Sequence, residues 1–276
     1  MGLNDDIRSE ISKKNKFAKP GTEIVTSSES LLIEQTLNKL FYMKPKIEEE
    51  AEFVKLVLSK NGYDCERAGL HASAIIAGEK DFCYREQVLS LLYKMNGGKD
   101  IPIGLKRIFE EGNSIHEKWQ RLFIRGGLGE AEDMDRSRFK KKYELSYTPD
   151  AILTIGGHEY VGEIKSVNTF QFKNMHSHPS GKKQLMFYMW LTGIERGFVL
   201  CEDKNTQDIK VFTYHFSLEL VEEFIARLEA IQVYKRRVVE EGKMVKGICK
   251  SSTCQRAEKC NMRDACWNIG QGRIKL

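Results

Sequence analysis

Asp150, preceded by Pro149, is followed after twelve intervening residues by Glu163-Ile164-Lys165. Two carboxylates and a lysine at this interval can gather a hard cation and a phosphate. Asp and Glu oxygens suit Mg2+ or Mn2+, which bridges a scissile phosphate and lowers the pKa of a bound water toward neutrality. Lys165 would orient or deprotonate that water, or neutralise charge in the transition state. The chemistry is phosphodiester hydrolysis. In a chain with 30% charged residues the same pattern also fits a surface hairpin whose charges are solvated.

The surrounding pattern predicts elements that make the carboxylates converge. Residues 150–155 are an apolar run, Gly156-Gly157 a tight-turn signal and 159–166 the returning strand of a β-hairpin. Glu163 and Lys165 are two apart and share one face, while Ile164 faces a core. Upstream, Pro102 is a good first helical residue, and Leu105, Ile108, Phe109, Gly112, Ile115, His116, Trp119, Leu122 and Phe123 recur at helical spacing before Gly126-Gly127. Taken alone, His116 on that apolar face reads more readily as a core histidine than as a metal ligand. Downstream, 182–191 predicts a helix with Gln184 and Tyr188 at i, i+4, able to reach phosphate oxygens or a metal-bound water.

In order, Gly112-x3-His116, Pro149-Asp150, Glu163-Ile164-Lys165 and Gln184-x3-Tyr188 resemble the motif series of RecB-type nucleases in the PD-(D/E)XK superfamily. The resemblance implies that His116, Asp150, Glu163 and the main-chain carbonyl of Ile164 bind the metal. It further implies that Lys165 is catalytic and that Gln184 and Tyr188 belong to the DNA-facing site. The fold it implies is a restriction-endonuclease-like α/β core, a mixed sheet flanked by helices.

Seven cysteines stand at 65, 83, 201, 249, 254, 260 and 266, four of them within the last 28 residues. The first 25 residues are polar and charged, which favours a reducing cytosol and metal ligation over disulfides. Position 6 is Asp, which breaks the myristoylation pattern after Gly2. The segment Asp81-Phe82-Cys83-Tyr84-Arg85-Glu86, with His71-x-Ser73 ahead of it, resembles the upstream cysteine region of iron-sulfur RecB-type nucleases, including the CRISPR-associated exonucleases and their phage relatives. That resemblance implies a [4Fe-4S] cluster on Cys83, Cys254, Cys260 and Cys266. The family's C-x2-C-x5-C spacing is not kept, because position 257 is Ala, and Cys249 is an additional candidate. Cys249, Cys254, Cys260 and Cys266 could instead form a local structural Zn2+ site. Cys65 and Cys201 read as ordinary partly buried residues.

The chain of 276 residues is long enough for one large core with appended subdomains and contains no run of 18 apolar residues. Its net charge of +5 is uneven: residues 235–276 hold 11 Lys/Arg against 4 Asp/Glu. That basic end, with Lys235, Arg236 and Arg237, would meet an anionic partner, and the DNA backbone is the expected one. The predicted organisation is a flexible N-terminus over 1–25, a helical region over 26–100 with helices at 28–42, 46–60 and 81–95, a nuclease core over 101–216, and a cysteine-rich subdomain over 217–276. Ser217 is a candidate N-cap for the long helix that opens this last part.

Residues 168–183 combine Phe170 and Phe172 with Lys173, His176, His178, Lys182 and Lys183, a mixture suited to a mobile loop over single-stranded DNA. The sequence-based expectation is therefore a cytoplasmic, Mg2+- or Mn2+-dependent DNA exonuclease with an iron-sulfur cluster, acting on single strands or DNA ends. The word exonuclease comes from the resemblance, since an endonuclease needs the same site. The alternative is a DNA-end binding partner in recombination, replication or CRISPR adaptation, with incidental or endonucleolytic cleavage.

Overall fold

Strand alternation and a two-glycine turn organise the centre of this chain. The computed structural model describes residues 27–44, 69–93, 103–134 and 136–270. The segment 1–25, the helix expected over 46–60 and Cys65 lie outside them. In chain order the first elements are α1 (Ser27–Leu40), β1 (Leu70–His71), α2 (Ala72–Ile75), α3 (Tyr84–Leu92), α4 (Ile103–Arg125), β2 (Arg138–Lys140) and β3 (Leu145–Tyr147). They are followed by β4 (Ala151–Ile155), β5 (His158–Val167), α5 (Thr169–Asn174), α6 (Pro179–Thr192), β6 (Arg196–Asp203) and β7 (Ile209–His215). The helices α7 (Glu222–Glu241), α8 (Gln255–Lys259) and α9 (Arg263–Gly270) complete the described chain.

These elements form two units, one made of Met1–Tyr63, Pro102–Ser137 and Thr148–Val221, the other of Asp64–Ile101, Arg138–Tyr147 and Glu222–Leu276. The first is a mixed four-stranded sheet in the order β4-β5-β6-β7. The predicted hairpin forms as β4 and β5 pair antiparallel from Ala151 opposite Gly162 to Ile155 opposite His158. Gly156 and Gly157 close it with φ of 60° and 80°, a left-handed pair of angles that residues bearing a Cβ adopt only with strain. The chain then crosses through α5 and α6 to the parallel neighbour β6, which places Glu163 opposite Val199 and Lys165 opposite Cys201. Ile164, Tyr160, Phe198 and Leu200 bury one sheet face against Ile33 and Leu37 of α1 and Trp119 and Phe123 of α4. The other face of β5 carries Glu163 and Lys165 toward α6, which packs on β5 and β6. The result is the expected α/β architecture, a mixed sheet flanked by helices.

Two expectations are corrected in this unit and the next. Residues 168–183 are a helix pair joined by a short link, not a loop: Asn168 caps α5 by accepting from the Gln171 N–H at 2.9 Å, and Phe172 is buried. Helices this short show no hydrophobic period, so the aromatic and basic composition read as loop. The long C-terminal helix begins at Glu222, and Ser217 precedes a turn instead of capping it.

The second unit contains a small sheet, β1-β3-β2, that no sequence pattern announced because its strands span two or three residues. Here α3 packs against α7. The buried Arg227 of α7 donates to the carbonyls of Ile75 and Ala77 at 2.7 and 2.6 Å and lies over the Phe82 ring. Among the described residues no helix is long and apolar enough to cross a membrane.

Candidate active site

The hairpin turns back so that Asp150, just before β4, meets the middle of β5. Asp150 Oδ2 accepts the Ile164 N–H at 2.7 Å, and its Oδ1 lies 3.3 Å from His116 Nδ1 on α4. One turn beyond His116, the buried Gln120 donates its side-chain amide to the Asp150 carbonyl at 2.9 Å. Asp150 is thereby held by its own strand partner and by two successive turns of one helix. Glu163 is fully buried; the Lys165 ammonium lies against its Oε1 as an ion pair, and Oε2 has no hydrogen-bond donor among the described residues. Lys165 Nζ also donates to Gln184 Oε1 at 3.1 Å, and Gln184 Nε2 donates to the Tyr188 hydroxyl at 3.2 Å. His116, Asp150, Glu163, Lys165, Gln184 and Tyr188 are thus brought together as the motif order predicts, with the Ile164 backbone engaged between the carboxylates.

Burial decides the electrostatics. Loss of hydration, then the Asp150 charge, push Glu163 up to about 8, with Lys165 and His116 offsetting only part of this. Burial would also raise Asp150, but His116, Lys165 and the Ile164 N–H together hold it below the ordinary Asp value. His116 would be lowered by burial, yet the charge and hydrogen bond of Asp150 and the charge of Glu163 raise it. Lys165, likewise opposed by burial, is raised by Glu163 and Asp150 and keeps its proton. Lys165 therefore enters as a cation. Clusters of ionisable groups displaced in opposite directions characterise sites of chemistry more than sites of mere structure.

A carboxylate on β6 fixes the helix that carries His116. The buried Glu202 accepts from Lys118 Nζ at 2.5 Å and from Trp119 Nε1 at 2.6 Å, both within a turn of His116. Trp119→Phe keeps the ring packing but leaves one Glu202 oxygen without its donor, and is expected to destabilise the fold by about 1–3 kcal/mol. Urea unfolding with an unchanged m-value measures this. A loss under about 0.5 kcal/mol, the range of ordinary surface substitutions, would show that Glu202 does not anchor α4.

Two donor sets fit cofactors differently. At the hairpin the chemistry is that of a hard cation: two buried carboxylates, one with an oxygen lacking a hydrogen-bond donor among the described residues. Among the described residues no three His, Cys, Asp or Glu side chains already converge as a metal group. A cation between Asp150 and Glu163 would fill its remaining positions with water, main-chain and substrate oxygens, the ordinary manner of Mg2+. In the second unit Cys83, Cys249, Cys260 and Cys266 line one cavity of about 380 Å³, with Arg85, Lys246, Arg256 and Arg263 on the same wall. Cys83 is the N-cap residue of α3, and Cys254 that of α8, off the cavity wall and beside Cys249. Arg256 reaches the Asp81 carbonyl at 2.8 Å, Glu86 at 2.5 Å and Cys249 Sγ at 3.9 Å. Thiols spread around a cavity suit a bulky anionic cluster ringed by cations; a zinc ion needs four sulfurs converging at about 2.3 Å. Cys201 is buried in β6, where loss of hydration raises its thiol to about 12.

The expected DNA-facing cations are scattered. Lys183 is exposed; Lys182 is half-buried near the Tyr214 ring, and burial lowers its pKa. In the second unit Arg236 and Arg237 are exposed, while Lys235 is ion-paired with Glu144 at 2.6 Å. Gln120 escaped the sequence reading, although its position four residues after His116 on one helical face could have flagged it. Glu202 offered no signal, because its partners lie 83 and 84 residues away.

No protein-family model matches the chain, and no curated protein is found similar to it. Among solved structures the chain is similar to the alkaline exonuclease LHK-Exo from Laribacter hongkongensis, at 16% identity over 66% of this chain and 95% of that chain, with a TM-score of 0.44. It is similar also to LHK-Exo in complex with dAMP, at 16% identity over 67% and 96% of the respective chains, with a TM-score of 0.49. A phage-related exonuclease from Haemophilus somnus 129PT is similar at 14% identity over 63% and 96%, with a TM-score of 0.45.

Proposed function

We propose that the chain is a divalent-metal-dependent DNA exonuclease of RecB type, acting on single strands or DNA ends through Asp150, Glu163 and Lys165. The observation that carries this reading is Glu163: a fully buried carboxyl beside Asp150, with one oxygen against the Lys165 ammonium and the other without a hydrogen-bond donor among the described residues. Such a group is costly to the fold unless a cation uses it. Mg2+ or Mn2+ held there would polarise the phosphate and supply an activated water. His116 and the Ile164 carbonyl complete the ligands that the motif series implies. Lys165 meets the phosphate as a fixed positive charge, Gln184 keeps its ammonium in place, and the Tyr188 hydroxyl steadies Gln184. Lys182, Lys183, Arg236 and Arg237 serve as phosphate contacts.

Digestion of end-labelled linear and covalently closed circular DNA, with Mg2+, Mn2+ or chelator, tests the reading. Linear DNA is expected to be degraded from its ends, the circle to survive, and chelator to stop both. Equal attack on the circle would make the enzyme an endonuclease, and no cleavage of either would remove the proposal.

The reading extends to a [4Fe-4S] cluster in the second unit, held by Cys83, Cys260, Cys266 and one of the adjacent pair Cys249 and Cys254. The position of Cys249 on the cavity wall favours it as the fourth ligand. Protein purified without oxygen is expected to be brown with about four iron atoms per chain. Cys83→Ala, Cys260→Ala and Cys266→Ala should each lose iron and colour, and Cys249→Ala more than Cys254→Ala. A colourless protein with one zinc would overturn the cluster and leave the nuclease centre standing. Thiolate ligation also agrees with a reducing cytosol.

A further inference from the structure

We infer that His178 is a further catalytic residue of this site, donating its Nε2–H to a non-bridging oxygen of the phosphate that Lys165 meets. The inference rests on the nuclease reading above and adds a substrate contact to it.

The ring's orientation follows from a single hydrogen bond. His178 precedes α6 and caps it: Nδ1 accepts the Gly181 N–H at 3.0 Å and stands 3.4 Å from Ser180 Oγ. A nitrogen that accepts from a backbone N–H carries its lone pair there, so the ring proton sits on Nε2. Gly181 makes room for the ring, since a Cβ there would come within 2.9 Å of His178 Nδ1 and 3.1 Å of Val199 Cγ1. Val199, on β6, is the register partner of Glu163, so the turn that His178 caps lies over the strand next to the one carrying Glu163 and Lys165. Nε2 has no hydrogen-bond partner among the described residues. Burial first and the Lys165 charge second hold the ring below the ordinary histidine value, which keeps it neutral near pH 7. A neutral directional donor next to a fixed ammonium suits a phosphate, whose charge is spread over several oxygens.

His178→Asn separates the two jobs of this side chain, because Asn is a strong N-cap but lacks a second ring nitrogen. The variant is expected to keep the wild-type melting temperature, to cleave about 10- to 100-fold more slowly in single turnover, and to bind a deoxynucleoside 5′-monophosphate in Ca2+ about as much more weakly. In wild-type protein, 15N spectra should show His178 as the Nε2–H tautomer, with that resonance shifting when the monophosphate is added. Wild-type cleavage and binding by His178→Asn would assign the ring to capping alone and overturn the inference. So would an Nδ1–H tautomer, or a resonance indifferent to the monophosphate, even if the variant failed to fold. A Glu163→Gln control distinguishes the two levels. If it still cleaves, the nuclease reading fails; if it is inactive while His178→Asn is wild type, only the role of His178 does.

Discussion

Asp150→Asn, Glu163→Gln and Lys165→Ala are each expected to lower DNA cleavage by about 10³-fold or more while DNA binding changes by no more than about threefold. On the proposed reading the separation arises because these groups would act on metal, water and developing charge, whereas affinity would come from cations along the backbone path. Asn at 150 can still accept the Ile164 N–H, so the hairpin survives, but its amide loses the charge that faces His116. Gln at 163 keeps the volume of a fully buried side chain but removes the charge that would hold a cation and that pairs with Lys165. Lys165→Ala leaves Gln184 without its donor and the phosphate without a counter-charge. Single-turnover rates and filter-binding affinities on the same DNA measure both quantities. Turnover near wild type in all three variants would sink the assignment.

The second large effect is a pH dependence of metal binding. Glu163 must be ionised to hold a cation, yet in the metal-free protein its carboxyl stays protonated up to about 8. Apparent affinity for Mg2+ or Mn2+ is therefore expected to rise by up to tenfold per pH unit below about 8 and to level off above it. Mn2+ titration followed by electron paramagnetic resonance from pH 6 to pH 9 reads this directly, and an affinity flat across that range would contradict it. The same displacement has a stability consequence of defined sign. A folded-state value raised from 4.5 to about 8 means that the native protein binds the extra proton. The contribution of Glu163 is thus fully present below pH 4.5 and lost as pH climbs toward 8. The metal-free melting temperature should fall over that window, and Glu163→Gln should flatten the fall. Added metal should restore stability most strongly at the alkaline end.

What the sequence determined by itself is everything governed by local period. Alternation put Glu163 and Lys165 on one face of a strand and Ile164 on the other, Gly156-Gly157 set the turn that brings Asp150 back to them, and i, i+4 spacing joined Gln184 to Tyr188. Backbone geometry alone enforces these relations, so they are legible without the fold. The expected helix over 28–42 and the strands around 197–201 and 209–216 follow the same logic and appear as α1, β6 and β7. Elements too short to show a period were misread: α5 as a loop, and the two- and three-residue strands of the small sheet not at all. Tertiary structure alone decided the rest. Glu202 on Trp119 joins residues whose separation in sequence carries no signal, and only the fold shows Gln120 meeting the Asp150 carbonyl and Cys249 lining the cavity. The ionisation of Glu163 belongs there too, because a carboxylate's pKa is set by the water it loses and the charges it meets, and both exist only once the chain has folded around it.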